Sequence, residues 1–338
     1  MKKSLVQEFN ATSAAAQAAF PRQLERLVVL LVPTSDTPVY VAPAVARTLS
    51  KNISSVKNAV ARFSYKMQKQ GWAGFANRSE YVGGANVNLI ALKGNLPGTF
   101  YKSCTKEMRE LFVLDHELGH HVTKKGNGWY SGEMKESSAD AFAVLRHVQR
   151  FGKDTLFIKR RGNIVAKNIV LHGDTAHYTT DTIHGALKVA AERDISKLSL
   201  EETAALAQEI ADDTVLDVKT GLKVRQAYFP VYQACRQQIG GVYEVVDKIC
   251  ERDGKAYDLF CRKTVAVMRA HASDADIFRA GKRFLAGYPP FVKFMKKQAK
   301  TDAFYKDALD FLAKGPQMPV NDDKPPVRAP QRPQIVYK

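Results

Sequence analysis

The segment Phe112-Val-Leu-Asp-His-Glu-Leu-Gly-His-His-Val122 gathers side chains that could do chemistry. On a helix, positions four apart lie one turn apart on one face, so His116 and His120 can present two imidazole nitrogens to one metal ion. Glu117 then falls beside the ion, where a carboxylate can take a proton from a water. A catalytic zinc site wants a third protein ligand and one open position. Sixteen positions after His120, Glu136-Ser-Ser-Ala-Asp140 sets two carboxylates at i and i+4. Glu136 is expected to be the third ligand, with Asp140 accepting the hydrogen bond from the outer nitrogen of a ligand histidine. The converse, Asp140 as ligand, is the alternative. A ligand set needing Gly three and His six residues beyond the second histidine is excluded, because those positions hold Thr123 and Gly126. His121 is turned about 100° from His120 around a helix and is read as a packing or surface residue.

A hydrolase of this kind gains from a donor that holds the tetrahedral oxyanion, usually His or Tyr. Between Leu171 and His184 lie three of the eight histidines. His177 and Tyr178, in an expected loop before a helix that Asp181 would cap, are the candidates for that catalytic role; His172 and His184 are read as structural.

These residues need elements to hold them. For the two histidines to share a face, 112–122 must be helical. Leu111, Leu114, Leu118 and Val122 recur at helical spacing, Glu107 and Glu110 lie near the start, and Lys124-Lys125 and Gly126 supply the stop. A second helix is expected from Glu136 through Arg150, ended by Gly152. Upstream, Leu27–Val32, Thr37–Val41 and Val87–Leu92 read as strands, with a helix over 43–70 between them. Val87–Leu92 is expected either at the sheet edge, where it could pair with an extended substrate, or in the interior. Beyond about residue 182 the pattern is helical, with a capping-box spacing at Ser199 and Glu202 and breaks at Gly221, Gly240-Gly241, Gly254, Gly287 and Pro289-Pro290.

His116-Glu-Leu-Gly-His120 followed by Glu136-x-x-Ala-Asp140 resembles the gluzincin class of zinc metallopeptidases. The extended form Glu136-x-x-Ala-Asp-Ala-Phe-Ala143 is most similar to the compact ImmA/IrrE-type metallopeptidases. The resemblance covers about 40 residues, 112 to 152. It implies a zincin-like domain, bound Zn²⁺, a protein or peptide substrate and, in the second family, a repressor as target.

The 338 residues are 45% hydrophobic with a net charge of +17, enough to bury a sizeable core and too apolar for a disordered chain. The expected class is α+β: a flexible arm over 1–22, a zincin-like catalytic domain over 23–180, a helical domain or extension over 181–315 and a disordered Pro-rich tail over 316–338. Four cysteines without a CxxC pair read as reduced thiols in the cytoplasm, with export as an effector lacking a cleavable signal as the alternative. No apolar run approaches the roughly 20 residues of a membrane span. Residues 1–100 carry 12 Lys+Arg against 4 Asp+Glu, and 221–315 carry 18 against 10, while 101–150 are nearly balanced at 8 against 7. The basic excess therefore speaks to solubility or to an anionic partner, and not to the proposed chemistry. Arg279, Lys282, Arg283, Lys293, Lys296, Lys297 and Lys300, set among Phe278, Phe284, Tyr288, Phe291 and Phe294, would suit a nucleic-acid-associated regulator. The same alternation is what an amphipathic helical core produces, and that is the reading adopted. The sequence names no oligomeric state.

Overall fold

The computed structural model describes residues 4–32, 37–70, 73–93, 104–123 and 132–315, apart from the side chains of Gln70, Val242, Tyr243, Val246 and Cys250. The 316–338 tail, Pro33 to Asp36 and Lys124 to Gly126 lie outside the described residues. The chain is α+β, 70% helical, with a small mixed sheet.

The order begins α1 (Leu5–Ala19), β1 (Leu27–Val32), β2 (Tyr40–Val41), α2 (Pro43–Ser50), α3 (Ile53–Gln70), β3 (Gly74–Val82) and β4 (Ala85–Lys93). It continues with α4 (Lys106–Val122), α5 (Gly132–Phe151), α6 (Leu156–Ile164), α7 (Lys167–His172), α8 (Thr180–Glu192) and α9 (Leu200–Thr214). The remainder is α10 (Val218–Gln238), α11 (Val242–Glu251), α12 (Gly254–Ala270), α13 (Ala275–Gly287), α14 (Pro289–Gln298) and α15 (Ala303–Lys314).

All six residues of β1 are buried, as expected for an unbroken apolar strand covered on both faces. It pairs parallel to β4 and antiparallel to β2, and β3 pairs antiparallel to β4, giving the order β2-β1-β4-β3. Val87–Leu92 therefore belongs to an interior strand, and the edge is β3, which the sequence reading did not find. Phe75 of β3 stacks on Phe63 of α3, whereas the neighbouring Gly74 lies against Glu117 of α4. Alternate strand residues face opposite ways, so α3 and α4 cover opposite faces of the sheet.

Three other expectations change. Over residues 4–22 the expected arm carries a helix. Ser4 and Gln7 form a capping box on α1, and Phe9, Ser13, Ala16 and Phe20 are buried. Their spacing of four, three and four makes a narrow stripe, a serine and an alanine flanked by two phenylalanines, that seats the helix on the first core. The helix over 43–70 breaks at Lys51-Asn52 into α2 and α3, and Gly221 sits within α10 rather than ending a helix. The box at Ser199 and Glu202 forms as expected.

Buried apolar residues make two clusters, one joining the sheet with α1–α6, α8 and α9, the other joining α7 with α10–α15. Phe278, Phe284, Tyr288 and Phe291 belong to the second cluster, so these aromatics serve packing. Cys104, Cys235 and Cys261 are free thiols. Among the described residues no helix is long and apolar enough to cross a membrane.

Candidate metal centre

Helix α4 starts at Thr105, whose side chain accepts a hydrogen bond from Met108 N at 3.2 Å, with Glu107 in the favourable first turn. One face of α4 is buried against α5, and the contact is very close. A Cβ placed on Gly119 would lie 2.8 Å from Ala139 Cα, so a glycine facing an alanine sets the spacing of the two helices. Below this contact Asp115, fully buried, is held by both terminal nitrogens of Arg150. Above it the Thr123 hydroxyl donates to Gly119 O at 2.8 Å and lies 3.1 Å from Ser138 Oγ.

Clamped in this way, α4 and α5 bring His116, His120 and Glu136 into one cluster whose ligand atoms all lie within 4.8 Å of one another. Glu136 Oε2 is 3.1 Å from His116 Nε2 and 3.6 Å from His120 Nε2. A tetrahedral zinc with bonds of about 2.0–2.2 Å spaces its ligands roughly 3.3–3.6 Å apart, so the donor set fits. A second observation agrees: Glu136 Oε2 is buried and faces the imidazole nitrogens of His116, His120 and His177, the surroundings of an anionic oxygen that a cation can share with them.

Asp140 stands behind His116, its Oδ1 2.9 Å from Nδ1. The Thr179 hydroxyl donates to Asp140 Oδ2, and Arg161 approaches Oδ1 at 3.7 Å. This geometry leaves His116 Nε2 to face Glu136, and it places Asp140 behind the cluster. Burial opposes the charge on Asp140, but His116, Arg161 and Thr179 together hold its carboxyl well below the usual range. Burial likewise opposes the charge on Glu136, and the facing His116, His120 and His177 bring it down to about 2. His116 is pulled well above its ordinary value, Asp140 and Glu136 outweighing burial. His120, buried and beside His116, is lowered to about 4.

Glu117 is 6% exposed. Burial raises its carboxyl to about 7. Its oxygen lies so close to the edge strand that a Cβ on Gly74 would sit 2.2 Å from Oε1.

These groups open on a cavity of about 590 Å³ whose wall includes Gly74 to Arg78 of β3, His116, Glu117, His120, Glu136 and His177. In comparisons with family models, curated proteins and solved structures, nothing matches this chain.

Of the two oxyanion candidates, His177 reaches the cavity and Tyr178 does not. His177 Nδ1 is 2.7 Å from Asp174 Oδ2, and Nε2 lies 3.4 Å from Glu136 Oε2. Tyr178 is buried in the second apolar cluster, where burial pushes its hydroxyl up to about 12 against the influence of Arg283. Adjacent residues before a helix start point apart, and the apolar ring took the core. Asp181 does not cap α8; it pairs with Arg283 at 2.6 Å. His121 is buried, as a packing residue would be. The sequence reading also missed Arg78, which reaches from β3 to donate to His120 O at 3.0 Å and His121 O at 3.3 Å. Nothing local in the sequence marks Arg78 or Gly74, because their partners lie some 40 residues away. The Asp174–His177 pair was legible as an acid three residues before a histidine.

Proposed function

We propose that the chain is a zinc-dependent metallopeptidase with a zincin-like domain, in which His116, His120 and Glu136 hold the ion. The observation that carries the reading is Glu136 Oε2, buried and set between two imidazole nitrogens at ligand spacing, with the Glu117 carboxyl on the same cavity wall. A zinc ion here would supply Lewis acidity toward a carbonyl and make a nearby water acidic at neutral pH.

The chain's own residues do the rest. Asp140 fixes the tautomer of His116. Glu117, buried on the cavity wall beside His116 and His120, is placed to take a proton from the attacking water and pass it to the leaving amine. The outer edge of β3, which no strand among the described residues covers, offers backbone N–H and C=O groups to an extended peptide lying along Gly74 to Arg78. His177, its Nδ1 held by Asp174, presents Nε2 as the donor toward the developing oxyanion.

Two variants test the reading on a digest of mixed peptides followed by mass spectrometry. Glu117→Gln is expected to lose hydrolysis while keeping about one zinc per chain. Gly74→Ala, whose new Cβ must displace Glu117, is expected to lose on the order of 10²-fold in rate with zinc retained. Hydrolysis by Glu117→Gln at the wild-type rate contradicts the mechanism.

A further inference from the structure

On the far side of the 174–181 segment from the metal centre lies a second cavity, of about 570 Å³, between α6 and α13. Its wall holds three cations from one helix face, Arg279, Lys282 and Arg283, together with Phe278, Asn163 and Gly287. No carboxylate lines it. The two carboxylates that pair with these cations stand behind them: Asp181 at 2.6 Å from Arg283 and 4.0 Å from Arg279, and Asp276 at 3.7 Å from Arg279. These pairs orient the guanidinium groups while the positive charge remains at the cavity. Lys282 has no carboxylate partner among the described residues, and its Nζ lies 5.7 Å from the centre of the Phe278 ring.

Two details point to an occupant. Arg279 and Lys282 stand on the cavity wall, where the oxygens of one phosphate could accept from both. Asn163 Oδ1 lies 3.3 Å from His184 Nε2, which leaves the amide NH₂ of Asn163 to donate. The cavity thus offers ammonium, guanidinium and amide donors beside an apolar wall, within the usual volume range of small-molecule sites.

We propose that this cavity binds a small phosphate monoester carrying a flat apolar body, of nucleoside monophosphate size, and that the metal centre senses its occupancy. The phosphate is held by Lys282, Arg279 and Arg283, and the body lies on the apolar wall. The link to the metal centre is short, an ion pair from Arg283 to Asp181 and then the backbone from Asp181 back to His177. Arg283 holds Asp181 and also the Tyr178 hydroxyl, and the neighbouring residues are His177 at the first cavity and Thr179 on Asp140. An anion that draws Arg283 away from Asp181 loosens that segment.

The test is calorimetric titration of the full chain with adenosine monophosphate and, separately, inorganic phosphate, at low and high salt. Expected are one saturable site per chain, weaker binding of phosphate than of the nucleotide, and at least tenfold weakening by Lys282→Ala with Lys282→Arg restoring most of it. Amide hydrogen exchange across 174–183 is expected to change on adding the nucleotide. No saturable binding of either probe at low salt, or binding indifferent to both Lys282→Ala and Arg279→Ala, overturns the site. Binding that leaves exchange across 174–183 unaltered overturns the link. Zinc content is read on the same samples, and it is expected to stay at the wild-type level in the Lys282 variants.

Discussion

Replacing Gly119 by alanine probes the feature that holds the centre together, the close approach of α4 and α5. The added methyl would lie 2.8 Å from Ala139 Cα and 3.2 Å from Ala139 O, where ordinary contact begins near 3.4 Å. Both neighbours are backbone atoms of a buried helix, so no side chain can swing aside, and the helices must part by roughly 0.6 Å. Overpacking of this kind costs about 1–3 kcal/mol, while alanine regains about 1 kcal/mol of helix propensity over glycine. The net is a destabilisation of up to about 2 kcal/mol, a fall in melting temperature of up to about 4 °C. Because α5 carries Glu136 and α4 carries both histidines, the same displacement is expected to weaken zinc binding by the order of tenfold. The assay is thermal unfolding of the metal-loaded and metal-free protein, with competitive chelator titration for zinc. Gly254→Ala is the control: nothing lies within 4 Å of its Cβ, and its stability is expected to match or slightly exceed wild type. Gly119→Ala melting with wild type and binding zinc equally well would refute the packing argument.

Two further outcomes follow from the same geometry. Asp140→Asn removes the charge behind His116 Nδ1 and is expected to weaken zinc affinity about 10–100-fold, measured by chelator competition; unchanged affinity would deny Asp140 its role. His147 is buried, hydrogen-bonded to Thr155 at 2.7 Å and lowered to about 4 by burial and by Arg150. A group with a depressed folded value binds more protons when unfolded, so its contribution is intact above pH 6.5 and is lost as pH falls toward 4, about 3 kcal/mol in all. Urea unfolding of wild type and His147→Gln from pH 7 to 4 is expected to show the smaller acid loss in the variant, and parallel curves would contradict this.

The His116, His120 and Glu136 cluster was legible because its constraint is local: i and i+4 on one helix, repeated on the next, reads directly from spacing. His116, His120, Glu136 and Asp140 stand as that spacing expects, and α4 and α5 form around them. What escaped was set by tertiary contact. The edge strand β3 mixes Asn77, Arg78, Ser79 and Glu80 among few apolar residues and has a register shift between Asn77 and Glu80, so no alternation marks it. Val87–Leu92 was recognisable as a strand, but its place in the sheet depends on the partners that flank it. Helix α1 was legible only as a weak helix or an arm, because between Phe9 and Phe20 its buried positions are Ser13 and Ala16 in a run of small residues, whose spacing carries little hydropathy contrast. His177 and Tyr178 are adjacent in sequence, and only the packing of α13 against the start of α8 decides which of them meets the metal centre.

The central claim is that this chain binds zinc through His116, His120 and Glu136. Its most direct test is elemental analysis of the full-length protein purified without chelators, alongside Glu136→Ala. The account expects close to one zinc per wild-type chain and a large loss in the variant; a folded wild-type protein without stoichiometric zinc, or a variant that keeps it, would contradict the account.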